Sequence, residues 1–295
     1  MASDGLEADL QVVALLTQQP NDLKMVYHYT TPAGLKGILE NEEIYFTDSG
    51  FLNDSSEKKL VLQAFEEVLN EASDKFESAF AGSLRQGYSD FENLCAAKTH
   101  YVFSASCNPD SLSMWNYYAK GNAFEGYNIG LNPFALVERL NLQNKGCFFG
   151  RVIYDKNEMK QKIKAVILNC NTLWNKYEAE EDRSRILAFI FESLIYLAIF
   201  YKKECFRHED EYRFVISVPD NDTDGLEFRI IRGCLIPYIS IQYRAEGHFT
   251  LIQSINISPL LKSDLYKLGV ERLLLKLGYD TDKVSIGTSA IPVRY

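Results

Sequence analysis

The sequence predicts one α+β domain carrying large helical insertions, and three observations lead there. Short runs rich in Val, Ile, Tyr and Phe lie toward both ends of the chain, while the longest helical patterns lie between them. No Gly/Ser- or Pro-rich linker, low-complexity tract or internal repeat divides the 295 residues. With 46% hydrophobic residues, a chain of this length can bury a core without help from metals or disulfides.

In chain order, Leu6, Leu10, Val13 and Leu16 recur at helical spacing until Pro20-Asn21-Asp22 breaks the pattern. Residues 1–22 therefore read as an N-terminal helix and 23–295 as the domain proper. MVYHYT is β-branched and aromatic and reads as a strand. Thr31 can cap the next helix with Pro32 at its first position, and Leu35, Ile38 and Leu39 form its apolar stripe. EIYFTD is a second strand; the loop SGFLNDSSE leads into one long helical stretch from Glu57 to about Asp90, inside a first insertion at about 55–95. HYVFSASC is a strand. In NPDSLSMWNYYA, Asn108 is the expected helix cap and Pro109 the first helical residue. GYNIGLN and CFFGRVIYD are strands. A second helical insertion at about 156–205 has a charged break near Glu178 to Arg185. EYRFVISV, LEFRIIRG, LIPYISIQY and SINISPL return to strand, and a helix over KSDLYKLGVERLLLKLGY and a short strand at VSIGTS follow.

Charge and cysteine usage narrow the function classes. The net charge is −9 and no long basic run is present, so long nucleic acid is disfavoured as a tightly held partner. The first residues are acidic where a signal peptide needs basic ones, and the best membrane candidate, ILAFIFESLIYLAIFYKKE, carries Glu192; a cytoplasmic protein with no membrane partner is expected. Six scattered cysteines with no Cys-x-x-Cys pair suit reduced thiols better than a disulfide framework or a metal site, and no metal is expected.

Three segments could carry chemistry. On the first strand His28 and Thr30 share one face while Tyr27 and Tyr29 share the other. The pair reads either as a satisfied core histidine beside a hydroxyl or as a donor–acceptor pair for ribose hydroxyls or an amide. Met114, Tyr117 and Tyr118 recur at i, i+3, i+4 on the next helix, as plain core or as a face that can stack on a flat cationic ring. In FRHEDEYRF, a strand beginning early would put Glu209, Glu211 and Arg213 on one face. Two like charges there need a cation, a hydroxyl network or solvent: either Arg213 and water satisfy them on an exposed edge, or they support a sugar cation. The loop FLNDSSE offers Asn53, Asp54, Ser56 and Glu57; Asn-Asp reads first as turn chemistry, and Asn53 is kept as a cofactor-contact candidate. A phosphate loop, a G-x-S-x-G elbow, H-E-x-x-H and a dinucleotide glycine fingerprint are all missing from the sequence.

Taken together, YHYTTPAGLKGILENEEIYFTD, NDSSE, FSASCNPDSLSMWNYYA with GYNIGL, HEDEYRF and SAIPVR resemble a bacterial family of unknown function, domain-of-unknown-function family twenty-nine seventy-one (DUF2971). The resemblance runs from about Tyr27 to Arg294 and leaves out the N-terminal helix and the helical insertions. The motif order is in turn similar to ADP-ribosyltransferases of the His-Tyr-Glu kind. That likeness implies a split mixed or antiparallel β core and NAD as the substrate, with no metal. It also implies an unknown acceptor that is a protein, a small molecule or a nucleobase, and a role in bacterial defence or toxin systems. Carried over by position, His28 and Thr30 hold the nicotinamide-side ribose and carboxamide, and Tyr118, with Tyr117 as second candidate, stacks on nicotinamide. Glu211, or failing it Glu209, bonds the ribose 2′-hydroxyl and stabilises the cation. Arg213 and Asn53 complete the cofactor contacts. The sequence departs from the pattern at Tyr29, where many relatives of that superfamily have glycine. A non-catalytic nucleotide-sensing or protein-interaction module on the same fold is the alternative, and a nuclease or glycosidase built on Glu-x-Glu a weaker one.

Overall fold

The protein is known from a computed structural model that describes residues 4–14, 23–52, 57–71, 76–89, 98–119, 125–244 and 251–292. Its strands are β1 (Val26–Thr30), β2 (Glu43–Asp48), β3 (Lys98–Ser106), β4 (Tyr127–Leu131), β5 (Cys147–Arg151), β6 (Glu211–Pro219), β7 (Leu226–Ile231), β8 (Cys234–Gln242), β9 (Ile252–Ile257) and β10 (Ser285–Thr288). They form one open sheet that runs β10-β9-β4-β1-β3-β2-β8-β7, with β6 and then β5 added beside β3. β9 and β10 pair in parallel and the remaining pairs are antiparallel, so the sheet is mixed.

β3 organises this sheet. One of its edges carries β6 along the whole length, from Lys98↔Pro219 to Ser106↔Glu211. The other edge is shared: β1 touches it at Tyr27↔Ser106, and β2 at Thr47↔Val102 and Asp48↔Tyr101. Between those contacts β1 and β2 part, and Phe103, Ser104 and Ala105 have no strand partner on that side among the described residues. The connection between the two parted strands is helix α2 (Pro32–Asn41), whose first turn is capped by Thr31 through Gly34 N–H. The wedge that results opens a concavity in the sheet.

Two cores support it. Leu39, Ile44, Phe46, Phe103, Leu136, Phe214, Ile241 and Ile255 belong to the sheet core, covered by α2, α6 (Pro133–Leu142) and α9 (Asp264–Lys276). A second core joins α1 (Asp4–Ala14), α3 (Glu57–Glu71), α4 (Ser78–Ser89), α7 (Lys156–Lys176) and α8 (Glu180–Ile199) through Leu6, Phe65, Phe80, Ile163, Trp174 and Ile190. The N-terminal helix and the two helical blocks, distant in sequence, are thus one packed helical body. No helix among the described residues is long and apolar enough to cross a membrane.

The α+β class and the ten strand positions agree with the sequence reading, and three local expectations are corrected. The stretch from Glu57 to about Asp90 is two helices, α3 and α4. Helix α5 (Leu112–Tyr118) is capped by Ser111, whose hydroxyl accepts from Met114 N–H, not by Asn108. Asn108 instead accepts from Asp110 N–H, the local turn that an Asn-Pro-Asp sequence favours over a helix start. Finally, β6 begins at Glu211; Glu209 ends a 3-10 turn (Glu204–Glu209), and Asp210 between them is left-handed at φ 41°.

Candidate functional site

A cavity of about 420 Å³ fills the wedge between β1 and β2, within the usual range for small-molecule sites. Its walls come from β1, α2, β2, the unpaired stretch of β3, α5, the 3-10 turn, β6 and β7.

His28 lies on the β3 side. Its Nδ1 is 3.1 Å from the carbonyl oxygen of Ser104, on the edge that β1 and β2 leave open. A carbonyl only accepts, so Nδ1 carries the proton and Nε2 is left as an acceptor. The ring packs on Phe103 with centroids 4.9 Å apart. Burial pushes its pKa below the ordinary 6.5, which keeps the imidazole neutral at neutral pH. Thr30, two residues on, lines the same cavity. Tyr29 points the other way: its phenol donates to Asn108 O and accepts from Ser111 N–H, each at 2.9 Å, and so fixes the entry of α5. The tyrosine that departs from the superfamily pattern therefore has a positioning task of its own.

The β6 side of the cavity is a buried cluster of four charges. Lys202, Glu209, Glu211 and Arg213 are 4%, 6%, 6% and 1% exposed, a degree of burial that charged groups tolerate only when paired. Lys202 Nζ bonds Glu209 Oε2 at 2.5 Å and Glu211 Oε2 at 3.3 Å. Arg213 grips Glu211 with two parallel bonds, Nε to Oε1 at 2.8 Å and Nη2 to Oε2 at 3.0 Å, and its Nη1 donates to Ile199 O. Tyr118 donates its phenol proton to Glu209 Oε1 at 2.8 Å. Burial on its own raises the pKa of Glu211, but the charge and hydrogen bonds of Arg213, with Lys202 behind them, outweigh it and hold the carboxyl at about 2. Glu209 reaches this cluster because the left-handed Asp210 reverses the chain, and Ser106 Oγ donates to the Glu209 carbonyl at 2.7 Å to hold the turn.

The cavity thus brings together His28, Thr30, Tyr118, Glu209, Glu211 and Arg213 from three separate segments. The two carboxylates do meet on one side, through a turn and not through strand alternation, and not on an exposed edge, because β6 runs between β3 and β5. Tyr117 is not among them. At about 100° per helical residue, Met114, Trp115 and Tyr118 span one inward sector, and Tyr117 falls outside it, 65% exposed against the ring of His208. Asn53 lies outside the described residues. Among Arg213's bonds are those to Glu211 and Ile199, which make it a holder of the carboxylate.

Sequence reasoning missed Lys202 and Arg229. Lys202 directly follows the apolar end of α8, and a lysine placed against LAIFY was the one available hint. Arg229, on β7, lines the cavity beside the stacked rings of Tyr45 and Tyr238, 6.0 and 5.8 Å from their centroids, and donates to Thr47 Oγ1 at 2.7 Å. Nothing in LEFRIIRG distinguishes it from a solvated strand cation.

The closing segment SAIP is tied to the start of α5. Asp110 Oδ1 accepts from Trp115 Nε1 at 2.7 Å and from Ser289 Oγ at 2.6 Å, and its Oδ2 from Ala290 N–H at 2.9 Å. Motifs far apart in sequence are thus one structural unit around the cavity.

No curated protein and no solved structure matches the chain. One family model does, over residues 114–214, a span that runs from α5 to β6. It holds Tyr118, Lys202, Glu209, Glu211 and Arg213, takes in the α7–α8 block that the sequence resemblance leaves out, and does not reach His28. Over that span the chain matches the family described as protein of unknown function (DUF2971).

Proposed function

We propose that the protein cleaves NAD, as an ADP-ribosyltransferase or an NAD glycohydrolase. The observation that supports this reading is the convergence of His28, Thr30, Tyr118 and the Glu209–Glu211 pair on one cavity in the parted sheet. Nicotinamide leaves NAD as a neutral molecule when the bond from ribose C1′ to the pyridinium nitrogen breaks and the bonding pair stays on nitrogen. No acid is needed at that nitrogen. The positive charge that develops on the ribose needs a fixed anion and a rigid clamp.

Of the two carboxylates, Glu209 suits the anion role better. Both oxygens of Glu211 are taken by Arg213, and one of them by Lys202 as well. Glu209 accepts one bond on each oxygen, from Tyr118 and Lys202, and keeps acceptor capacity toward the cavity. Water or an acceptor nucleophile then adds at C1′ and gives up its proton to a carboxylate or to solvent. Neutral His28, with Nε2 as acceptor, suits a ribose hydroxyl or the carboxamide N–H, and Tyr118 suits contact with the nicotinamide ring. The acceptor is a protein side chain, a small molecule or a nucleobase, and the setting is a cytoplasmic effector of bacterial defence or toxin systems.

A second reading follows from the charge balance. Lys202 and Arg213 cancel both carboxylates, which also suits a site that senses a nucleotide without turning it over. Incubation of the purified protein with NAD, with free nicotinamide followed by chromatography, separates the two. The enzyme releases nicotinamide or labels lysate macromolecules, and Glu209→Gln stops it. Ligand-induced stabilisation of about 2.7 kcal/mol at a hundredfold excess over Kd, without release, supports the sensor. Absence of both overturns the NAD reading.

A further inference from the structure

Arg229 is a cation in the cavity wall that no carboxylate pairs with among the described residues. Arg185, Arg207, Arg213 and Arg244 each meet a glutamate within ion-pair distance. Arg229 has Thr47 as its hydrogen-bond partner, and its Nε is buried with none. The nearest acid on its own strand, Glu227, is taken by the phenol of Tyr238 at 2.7 Å. Tyr45 and Tyr238, packed on each other with centroids 4.2 Å apart, lie together on one side of the guanidinium.

The cavity is therefore electrically uneven. At the β6 wall two cations pair with two carboxylates; at the β2–β7 wall Arg229 has no carboxylate within ion-pair distance among the described residues, Glu43 of the same lining accepting from Gln242 instead, and its charge bears on His28. Thr47 Oγ accepts from Arg229 Nη2, which leaves its own O–H to donate. The guanidinium edge and that hydroxyl supply donors from different directions, a set that suits the several oxygens of a tetrahedral phosphate better than a flat carboxylate.

We propose that Arg229 and Thr47 form a phosphate subsite, so that the molecule held in this cavity is a phosphorylated nucleotide and not a free nucleoside. The inference deepens the proposed function and rests on it for the rest of the ligand: phosphate toward β7, sugar and ring toward His28 and Glu209.

Calorimetric titration tests it with four probes, NAD, nicotinamide riboside, metal-free pyrophosphate and malonate, on the parent protein, Arg229→Gln and Thr47→Val, with folding checked by circular dichroism. The parent binds pyrophosphate, Arg229→Gln weakens pyrophosphate and NAD tenfold or more, and nicotinamide riboside affinity does not change. Thr47→Val weakens pyrophosphate in the same direction and carries the test if Arg229→Gln does not fold. Equal pyrophosphate affinity in parent and variants overturns the subsite, as does malonate binding as tightly as pyrophosphate. Arg229-dependent pyrophosphate binding without NAD binding or cleavage upholds the subsite while the NAD reading fails. NAD cleaved and bound equally by the parent and Arg229→Gln does the reverse.

Discussion

The ammonium of Lys202 bridges the carboxylates of Glu209 and Glu211, 2.5 Å from one and 3.3 Å from the other. Without it two buried anions face each other across the cavity wall with Arg213 on one of them alone. Breaking a buried ion cluster from one side leaves an uncompensated charge and costs roughly 3–5 kcal/mol. Lys202→Met is therefore expected to lower unfolding stability by about that much, measured by urea denaturation. Adding Glu209→Gln to it removes one of the stranded charges and restores part of the loss; a double variant no more stable than Lys202→Met contradicts the bridge.

The same cluster sets an acid limit. Glu211 has a folded pKa of about 2 against the ordinary 4.5. A carboxyl depressed in the folded state contributes stability above its unfolded pKa, and that contribution is lost as pH falls through the folded value, because the unfolded chain binds the proton first. His28, also depressed, works in the same direction from its ordinary 6.5 downward. Stability in a denaturant series is expected to fall between pH 6.5 and pH 2, with the Glu211 share between 4.5 and 2. In Glu211→Gln the steep part below 4.5 flattens. An equally steep slope in that variant places the acid sensitivity elsewhere.

Much of this architecture was legible in the residues, and the reasons it was not wholly so are local. Alternation put His28 and Thr30 on one face because β1 is a regular strand, and the strand pattern holds for VYHYT whether or not β3 is paired beside it. Strand alternation predicts Glu209 and Glu211 as neighbours, but a 3-10 turn and a left-handed residue bring them together, and these leave no two-residue period to detect. Tyr117 and Tyr118 stand at equivalent helical offsets from Met114, and only the direction from which the sheet approaches α5 decides between them. Lys202 and Arg229 needed tertiary structure altogether: each is one ordinary cation in sequence and becomes informative through what surrounds it.

Tyr118 couples the helix α5 face to Glu209 through a single 2.8 Å bond. Tyr118→Phe keeps the ring and removes the donor, at a stability cost of about 1–3 kcal/mol for a charge-assisted bond. If the phenol also orients the reacting carboxylate, nicotinamide release falls tenfold or more in kcat while the KM for NAD changes little. Loss in KM with kcat intact assigns Tyr118 to ring binding instead.

Asp110 holds three donors from two segments, Trp115 Nε1, Ser289 Oγ and Ala290 N–H. Asp110→Ala strands them and releases the residues around Ser289 from the α5 loop. The expected loss is about 2–4 kcal/mol, since an unsatisfied buried donor costs roughly 1–3 kcal/mol and the Trp115 ring is buried. Amide hydrogen exchange at Ala290 and Ile291 reads the release directly. Unchanged exchange there shows that the segment does not depend on the latch.

Two glycines one turn apart on α2 separate packing from access. A Cβ at Gly34 comes within 2.1 Å of Thr30 Oγ1, so that helix and β1 approach as closely as they do only because position 34 has no side chain. Gly34→Ala is expected to destabilise by about 1–3 kcal/mol through overpacking. A Cβ at Gly37 meets nothing within 4 Å, although that residue lines the cavity. Gly37→Ala is expected to be neutral or to stabilise by about 0.5–1 kcal/mol through helix propensity. Gly37→Phe projects a ring toward the same space and tests the cavity without touching any charged residue. It leaves thermal stability near the parent value and abolishes binding of pyrophosphate and NAD alike. Binding undiminished in a folded Gly37→Phe protein places the ligand outside the wedge between β1 and β2, and with it the role given to His28 and Glu209.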